Sequence, residues 1–193
     1  MTATTMAASG VEELIELIDH AVSETKVEDI TQRVQQGLTR LIRQGSLRLP
    51  EDLCRVTPGH YARRLVHRSE EHGWVMVAMT WGPEQSTPLH DHAGTWCVEG
   101  VIDGAIEVAQ FHLLEDDGEL CHFVPMGTLC TGVGSAGALI PPYEYHIIAN
   151  PDATSSAVTL HIYGEEMTEC TSFEPAGSEC KYRRTRRQLR YDA

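Results

Sequence analysis

Residues 87–104 read TPLHDHAGTWCVEGVIDG, and this stretch contains the only His-x-His triplet of the chain, formed by His90 and His92. In a β-strand, residues two positions apart face the same side, so both imidazoles can enter the interior of a barrel together. The spacing alone is a weak signal, because ten histidines in 193 residues also produce such pairs by chance. The triplet therefore predicts a metal site only if a third ligand comes from another strand.

The best candidate for that third ligand is His146, in the segment 141–150, PPYEYHIIAN. Three neutral imidazoles leave a divalent ion with its full charge, and ligand softness alone would admit zinc, nickel or copper as well as iron. Such an ion favours a thiolate, because metal coordination makes a thiol lose its proton. We therefore predict that His90, His92 and His146 bind one divalent metal ion.

The sequence around these segments is typical of a β-protein. From about residue 56, short runs rich in Val, Ile, Thr and aromatic residues alternate with Gly and Pro. We predict strands near residues 60–68, 74–81, 95–102, 105–114, 120–124, 126–133, 137–140, 145–149 and 156–163. Many short strands without helices between them indicate an antiparallel sandwich or a jelly-roll barrel. The predicted fold class is therefore mainly β.

Residues 1–50 predict two helices in front of the strands. Apolar residues recur at helical spacing in both helices, and Gly45 is expected to end the second. Ser9 and Thr25 stand where N-caps are expected. At 193 residues the chain suits one domain. We divide it into a helical cover over 1–50, a barrel over 55–165 and a C-terminal extension over 166–193.

Composition argues against several classes of function. The formal net charge is −13, although residues 181–193 carry six of the fifteen Lys and Arg residues. An anionic body does not fit a nucleic-acid-binding domain, because attraction to phosphate dominates that affinity. No apolar run is long enough to span a bilayer, and the N-terminus lacks the pattern of a secretory signal. We expect a cytoplasmic monomer or weak homo-oligomer with reduced cysteines and no nucleic-acid or membrane partner.

The two histidine segments resemble the two motifs of the cupin superfamily. The matching residues are His90, His92, Gly104, Pro141, His146 and Asn150. Where the first cupin motif has a glutamate ligand, this chain has Cys97. A cupin with that replacement resembles the thiol dioxygenases, the family of cysteine dioxygenase and 3-mercaptopropionate dioxygenase. The resemblance covers residues 55–165 and implies a cupin-type jelly-roll barrel that holds Fe(2+) at the three histidines.

The resemblance also implies how a substrate is held. Tyr61-Ala62-Arg63 matches the Tyr-x-Arg segment of cysteine dioxygenases, whose arginine binds the substrate carboxylate. Strand parity agrees, because Tyr61 and Arg63 then face inward while Arg64 faces out. The alternative from the residues alone is an exposed surface arginine at position 63. The implied reaction oxidises a small thiol, with L-cysteine as the leading substrate, by O2 to its sulfinic acid.

A second matching run lies at Thr159, His161 and Tyr163, in place of the Ser-His-Tyr run of the family. We expect a hydrogen-bond chain from Thr159 through His161 to Tyr163 that aims the phenol at the bound substrates. The alternative is a half-buried strand face with one structural histidine. In animal cysteine dioxygenases, the residues at the positions of Cys97 and Tyr163 are joined by a thioether. Both residues are present here, so the same crosslink is expected.

Two alternatives stay open at this stage. Tyr163 is followed by Gly164 and Glu165, and Trp96 precedes Cys97; both features resemble the bacterial mercaptopropionate enzymes. The substrate can therefore be 3-mercaptopropionate, mercaptosuccinate or another mercapto-acid instead of cysteine. The alternative of another class is a non-catalytic metal-binding cupin, which explains the three histidines but not the other matching residues. A zinc hydrolase fits less well, since no carboxylate stands at general-base spacing beside the ligands.

Overall fold

The computed structural model describes residues 10–177 and 180–193. Within them the helices are α1 (Val11–Ala21), α2 (Val27–Arg43) and a short 3-10 helix (Glu51–Cys54). The strands are β1 (Ala62–Arg68), β2 (Val75–Trp81), β3 (Leu89–His90), β4 (Cys97–Asp103), β5 (Ala105–Asp116), β6 (Leu120–Gly132), β7 (Ala136–Leu139), β8 (His146–Ala149), β9 (Ala157–Tyr163), β10 (Glu169–Pro175) and β11 (Lys181–Gln188). Among these residues, none of the helices combines the length and the apolar character that a membrane span requires.

The two N-terminal helices form where the apolar periodicity predicts them. Their buried stripes, which include Leu14 and Leu38, pack against the outer face of a sheet. The approach is close, because a Cβ on Gly100 of β4 would lie 2.7 Å from a side-chain atom of Leu38. The predicted end of α2 is confirmed: Gly45 adopts a φ of 67°, and its N–H donates to the carbonyl of Ile42.

The predicted N-cap of α2 is wrong. The helix begins at Val27, with Lys26 in the N-cap position and no side chain that caps it. Thr25 lies one residue before the cap position, and a side chain satisfies the first free N–H groups only from the cap itself. The other predicted cap, Ser9, lies outside the described residues.

The strands form two antiparallel sheets that share a core. The first sheet has five strands in the order β1-β2-β9-β4-β7. The second has six strands in the order β10-β11-β6-β5-β8-β3, and it closes on itself because β3 also pairs with β10. The predicted fold, a mainly β jelly-roll barrel of the cupin type preceded by two helices, is confirmed.

The C-terminal extension predicted for residues 166–193 belongs to this barrel. Strand β10 pairs with β11 and β3, and β11 also pairs with β6. The sequence lacks a strand signal here because β11, KYRRTRRQ, is polar and mostly exposed, without the apolar alternation of a half-buried strand. The predicted break between residues 124 and 126 is also wrong, since Met126 forms a bulge within the continuous strand β6.

Both faces of the first sheet are buried, so the alternation of side chains along its strands determines which of them face the interior. Strands β2 and β9 are buried along their whole length, because the helices cover one face and the other belongs to the shared core. Side chains alternate along β4, so Cys97 enters the interior core while Trp96 packs on the helical side, as parity predicts. Positions 97, 99 and 101 of β4 and positions 159, 161 and 163 of β9 therefore face inward.

Candidate metal centre and its pocket

The structure brings the three predicted ligands together. His90 lies on β3 and pairs across the ladder with His146 on β8, and His92 follows β3 by two residues. One ring nitrogen from each histidine lies within 4.8 Å of the others. The distances between ring centroids are 5.5 Å for His90–His92, 4.6 Å for His90–His146 and 5.1 Å for His92–His146. The predicted convergence of these imidazoles is confirmed.

Backbone carbonyls orient two of the three rings. The Nδ1 atom of His90 lies 3.1 Å from the carbonyl oxygen of Pro88, and that of His146 lies 2.7 Å from the carbonyl oxygen of Glu144. A carbonyl can only accept, so each Nδ1 carries the proton and each Nε2 has a free lone pair. The Nδ1 atom of His92 is buried and has no hydrogen-bond partner.

Burial keeps the three imidazoles neutral. It lowers the pKa of His90 to about 4 and, with a contribution from His90, that of His146 to about 3. Burial and the neighbouring imidazoles also lower the pKa of His92 well below its usual value. Neutral imidazole is the form that binds metal, and three such nitrogens form a donor set suited to a divalent first-row transition ion. The residues therefore fit a mononuclear metal centre.

Strands β4 and β9 of the first sheet line the opposite side of the interior. Their register pairs Cys97 with Tyr163, Glu99 with His161 and Val101 with Thr159. Burial and the nearby Glu99 carboxylate raise the pKa of the Cys97 thiol well above its usual value, and a hydrogen bond from Tyr163 offsets only part of that rise. Burial likewise raises the pKa of Tyr163 well above its usual value, so the phenol keeps its proton and is available as a donor.

The predicted hydrogen-bond chain is present only in part. Thr159 Oγ1 lies 2.8 Å from His161 Nε2 and accepts the indole N–H of Trp81 at 2.9 Å. The other ring nitrogen, His161 Nδ1, lies 3.4 Å from Glu99 and 4.0 Å from the Cys97 sulfur.

The predicted link from His161 to Tyr163 is therefore wrong for this structure. The two rings stand side by side with centroids 6.1 Å apart and planes inclined by 17°. No hydrogen bond joins them in the described part of the chain. The two residues lie two positions apart on β9, and the residue directly opposite His161 on β4 is Glu99.

Arg63 and Tyr61 line the same small pocket as the three histidines. Tyr61 stacks on Trp81 with ring centroids 4.7 Å apart. Arg63 is only 6% exposed, and its guanidinium lies 5.5 Å from the centre of the Tyr191 ring. No carboxylate of the described residues forms an ion pair with this guanidinium. The pocket thus contains a buried cation that is available to an anionic group.

The prediction from strand parity that Arg64 faces solvent is wrong. Arg64 is as buried as Arg63 but lies on the opposite face of β1. Its guanidinium donates to the carbonyl of Arg55 at 2.7 Å and to the Thr57 hydroxyl at 3.2 Å. The chain after the 3-10 helix covers this face of the sheet, an arrangement that strand parity alone does not reveal.

Arg187 of β11 is a pocket residue that the sequence analysis missed. Its guanidinium lies 5.8 Å from the centre of the Tyr61 ring, and it lines the histidine pocket together with Arg63. The sequence offered only a basic run near the C-terminus, which is more often a solvated tail. Pairing of β11 with β10 is what directs this side chain to the pocket.

Glu99 is the second residue that the sequence analysis missed. It is 8% exposed, and its Oε2 atom is buried without a hydrogen-bond partner. This atom lies 4.0 Å from His146 Nε2, and burial raises the pKa of Glu99 to about 7. Glu99 also lines a second cavity of 650 Å³ that extends towards α2. The available signal was its parity, two residues after Cys97 on the same strand.

Comparison with known proteins identifies the family. The sequence model of the family described as Cysteine dioxygenase type I matches residues 52–176, which is more than half of the chain.

Solved structures give weaker likenesses. The protein TT1209 from Thermus thermophilus is 20% identical, with a TM-score of 0.45 over 58% of this chain and 90% of that one. A Cupin 2 conserved barrel domain protein from Salinispora arenicola is 14% identical, with a TM-score of 0.41 over 60% and 84%. An oxalate oxidase in complex with glycolate is 18% identical, with a TM-score of 0.44; the match covers 56% of this chain and 53% of the oxidase.

Proposed function

Because the chain belongs to the cysteine dioxygenase type I family, we propose that it is an iron(II) thiol dioxygenase that converts L-cysteine and O2 into cysteine sulfinic acid. The family supports a metal-dependent dioxygenase, and the choice of a thiol with a carboxylate rests on one observation. The buried, unpaired guanidinium of Arg63 lines the same pocket as His90, His92 and His146. A small mercapto-acid matches this arrangement, with its thiolate at the metal and its carboxylate at the arginine.

The histidines would hold the metal, and the metal supplies the chemistry. His90, His92 and His146 offer neutral nitrogens whose orientation is set by the backbone. Iron(II) bound there would accept the thiolate and allow dioxygen to react with its sulfur. The balance needs no second reductant: a thiolate and O2 give a sulfinate, with both oxygen atoms on sulfur and four electrons passing from sulfur to oxygen.

The pocket residues would bind and orient the substrate. The planar guanidinium of Arg63 can accept a carboxylate through two parallel hydrogen bonds, which fixes the distance between carboxylate and sulfur. Tyr61, held by its stacking on Trp81, would close one side of the pocket. The Tyr163 phenol retains its proton and can donate a hydrogen bond to the substrates.

We also propose that Cys97 and Tyr163 become joined by a thioether. They are directly opposed on β4 and β9, and both are buried in the interior. The sulfur bonds to a ring carbon of the phenol while the thiol and the ring each lose a hydrogen atom, and O2 is the oxidant that accepts both. The intact mass should fall by about 2 Da after turnover, and reducing agents should not reverse this oxidation. A Cys97→Ala variant should lack this species; a wild-type protein that never forms it would contradict the crosslink.

The proposed reaction is tested by oxygen uptake of the iron-loaded protein with a panel of thiols. We expect uptake with L-cysteine and a sulfinate product that carries two oxygen atoms from labelled O2. Cysteamine, which has a thiol and an amine but no carboxylate, should be a poor substrate because it cannot use Arg63. A flat trace across the whole panel would instead favour the alternative of a non-catalytic metal-binding cupin.

Arg187 favours a second candidate substrate. A second guanidinium beside Tyr61 could bind another carboxylate, and mercaptosuccinate carries two. The same panel therefore includes mercaptosuccinate and 3-mercaptopropionate. If kcat/KM is highest for mercaptosuccinate and an Arg187→Gln variant loses only that preference, the dicarboxylate is the better assignment. If Arg187→Gln does not change the relative kcat/KM values, a thiol with one carboxylate remains the proposed substrate.

A further inference from the structure

We propose that the protein forms a two-fold symmetric homodimer in which the edge of β6 at residues 127–132 pairs antiparallel with the same edge of a second copy. This inference goes beyond the proposed reaction and does not depend on it. Three observations carry it: a strand edge that no other strand covers, exposed residues on both faces of that strand, and the lack of charge in this part of an acidic protein.

One edge of β6 has no neighbouring strand along most of its length. Strand β5 pairs with β6 from end to end on one side, whereas β11 pairs on the other side only with residues 120–122. In the described part of the chain, no strand other than β5 pairs with residues 124–132. Pro125 and the bulge at Met126 interrupt this edge at one end. Residues 127–132, here called the β6 edge, therefore remain able to accept another strand.

Both faces of β6 are exposed along this part of the strand. Side chains alternate between the two faces of a strand, so a strand packed on a core has every second residue buried. In β6, however, the consecutive residues 125–130 are all exposed. Met126 is 66% exposed and Leu129 65%, and Val133 follows at 57%. An exposed apolar cluster of this kind on a soluble protein marks an interaction surface.

The same region is the longest uncharged stretch of the sequence. Residues 123–143 contain no Asp, Glu, Lys, Arg or His, although charged residues make up 22% of the chain. Two copies of a protein with a net charge of −13 repel each other across charged surfaces, but an uncharged edge avoids this repulsion. Natural proteins usually protect a free edge with charged side chains, and this edge lacks that protection. A second copy of the chain is therefore the partner that this surface fits.

Pairing of two identical edges explains why the assembly would stop at two copies. An antiparallel pair of the same strand is related by a two-fold axis, so each copy contributes the same segment and both edges are used. The 650 Å³ cavity borders this segment, because Leu129, Cys130 and Thr131 line part of it, and it leaves room for apolar side chains of the second copy. The ladder is short, so the interface is small and the dimer should be weak.

The test combines sedimentation velocity with backbone amide hydrogen exchange on the full-length protein. Both are measured from about 1 µM to about 1 mM, the range in which small interfaces associate. Leu129→Glu and Cys130→Glu each place a charge on the exposed part of β6, one on either face. Leu114→Glu is the matched control, because Leu114 is an exposed leucine of β5 outside the β6 edge.

We expect wild-type protein to approach twice the mass of one chain as the concentration rises, while the amides of residues 127–132 become protected in parallel. Leu129→Glu and Cys130→Glu should each weaken dimerisation by about 30-fold or more, because the two-fold axis brings two like charges together at the centre of the interface. Leu114→Glu should dimerise as wild type. The melting temperatures of the dilute variants should match that of dilute wild type, since the substituted residues are exposed in one copy.

A wild-type protein that remains monomeric up to about 1 mM would overturn the proposal. A dimer that both β6 variants form as readily as wild type would also overturn it, because the copies would then meet elsewhere. The same holds if residues 127–132 exchange as fast in the dimer as in the monomer, or if Leu114→Glu weakens dimerisation equally. Growth beyond two copies would contradict the two-fold axis. Oxygen uptake with thiols tests the proposed function separately, and its outcome does not alter any of these results.

Discussion

The two groups of buried functional side chains come from different sheets, and different forces hold them. The histidines lie on and beside β3 and β8, strands of two and four residues, and bonds to the carbonyls of Pro88 and Glu144 orient two of their rings. Cys97, Glu99 and their partners lie on the seven-residue strands β4 and β9, where ladder register and tight burial determine which side chains meet. The interior thus combines three candidate ligands, oriented locally, with a wall whose side chains are positioned by strand register.

The largest effect should come from breaking the histidine group. We expect His146→Ala to lower metal affinity by more than about 100-fold and to abolish thiol-dependent oxygen uptake, because a direct ligand is worth more than an outer-shell partner. Metal analysis of the purified protein and a chelator competition would measure this. The control is His122→Ala on β6, which should retain metal. Full metal content in His146→Ala would remove this residue from the site.

On the opposite wall, Tyr163→Phe should lower kcat by about 100-fold with little change in KM, because it removes a proton donor but no packing volume. Cys97→Ala separates the effect of the crosslink from that of the phenolic hydroxyl. Both variants should lack the loss of about 2 Da, which is the mass of two hydrogen atoms, but only Tyr163→Phe removes the phenolic hydroxyl. Equal kcat values for the two variants would mean that the crosslink, and not the hydroxyl, affects turnover.

The adjacent arginines of β1 should give opposite results. Arg63→Gln should raise KM for L-cysteine by about 10- to 100-fold, since a charge-assisted hydrogen bond contributes about 1.5–3 kcal/mol. Arg64→Gln should leave KM unchanged and lower the free energy of unfolding by about 1–3 kcal/mol, because the buried carbonyl of Arg55 loses its donor. Steady-state kinetics and urea unfolding separate the two. An unchanged KM in Arg63→Gln would remove Arg63 from substrate binding.

The smallest effect concerns Asp192, whose carboxylate accepts a hydrogen bond from the backbone N–H of Arg63 and so holds the C-terminal residues against β1. Burial raises the pKa of Asp192, but a hydrogen bond from the backbone N–H of Arg63 and the contact with His60 outweigh it and hold the pKa below its usual value. A carboxylate whose pKa is lower in the folded than in the unfolded protein stabilises the fold at pH values above its unfolded-state pKa of about 4. This stabilisation is lost as the pH falls through the folded-state pKa.

Asp192→Asn should therefore be slightly less stable than wild type at pH 7, by less than about 1 kcal/mol after solvent screening. The difference should shrink at an acid pH below the lowered pKa of Asp192, because the wild-type carboxylate is then protonated as well. Urea unfolding of both proteins at the two pH values measures it. A difference of the same size at both would mean that ionisation of Asp192 does not contribute.

Much of the site was predictable because its signals are local. The His-x-His triplet and the shared parity of Thr159, His161 and Tyr163 depend only on the two-residue period of a strand, whereas Cys97 was singled out by the resemblance to the family motif. The pairing of β3 with β8 is not visible in the sequence; His146 was found from its motif instead. The link from His161 to Tyr163 was predicted wrongly because shared parity places two side chains on one face of a strand but does not bring their polar atoms within hydrogen-bond distance.

The two amphipathic helices, the mainly β class and the residue types of the candidate metal centre can be read from the amino-acid sequence, because each has a period or a spacing within one segment. The fold was needed to show that β11 joins the barrel, that Arg187 reaches the pocket and that Glu99 lies 4.0 Å from His146. These features depend on ladders between residues far apart in the chain. A polar strand paired at its edges has the same local pattern as a solvated tail, so no local signal distinguishes them.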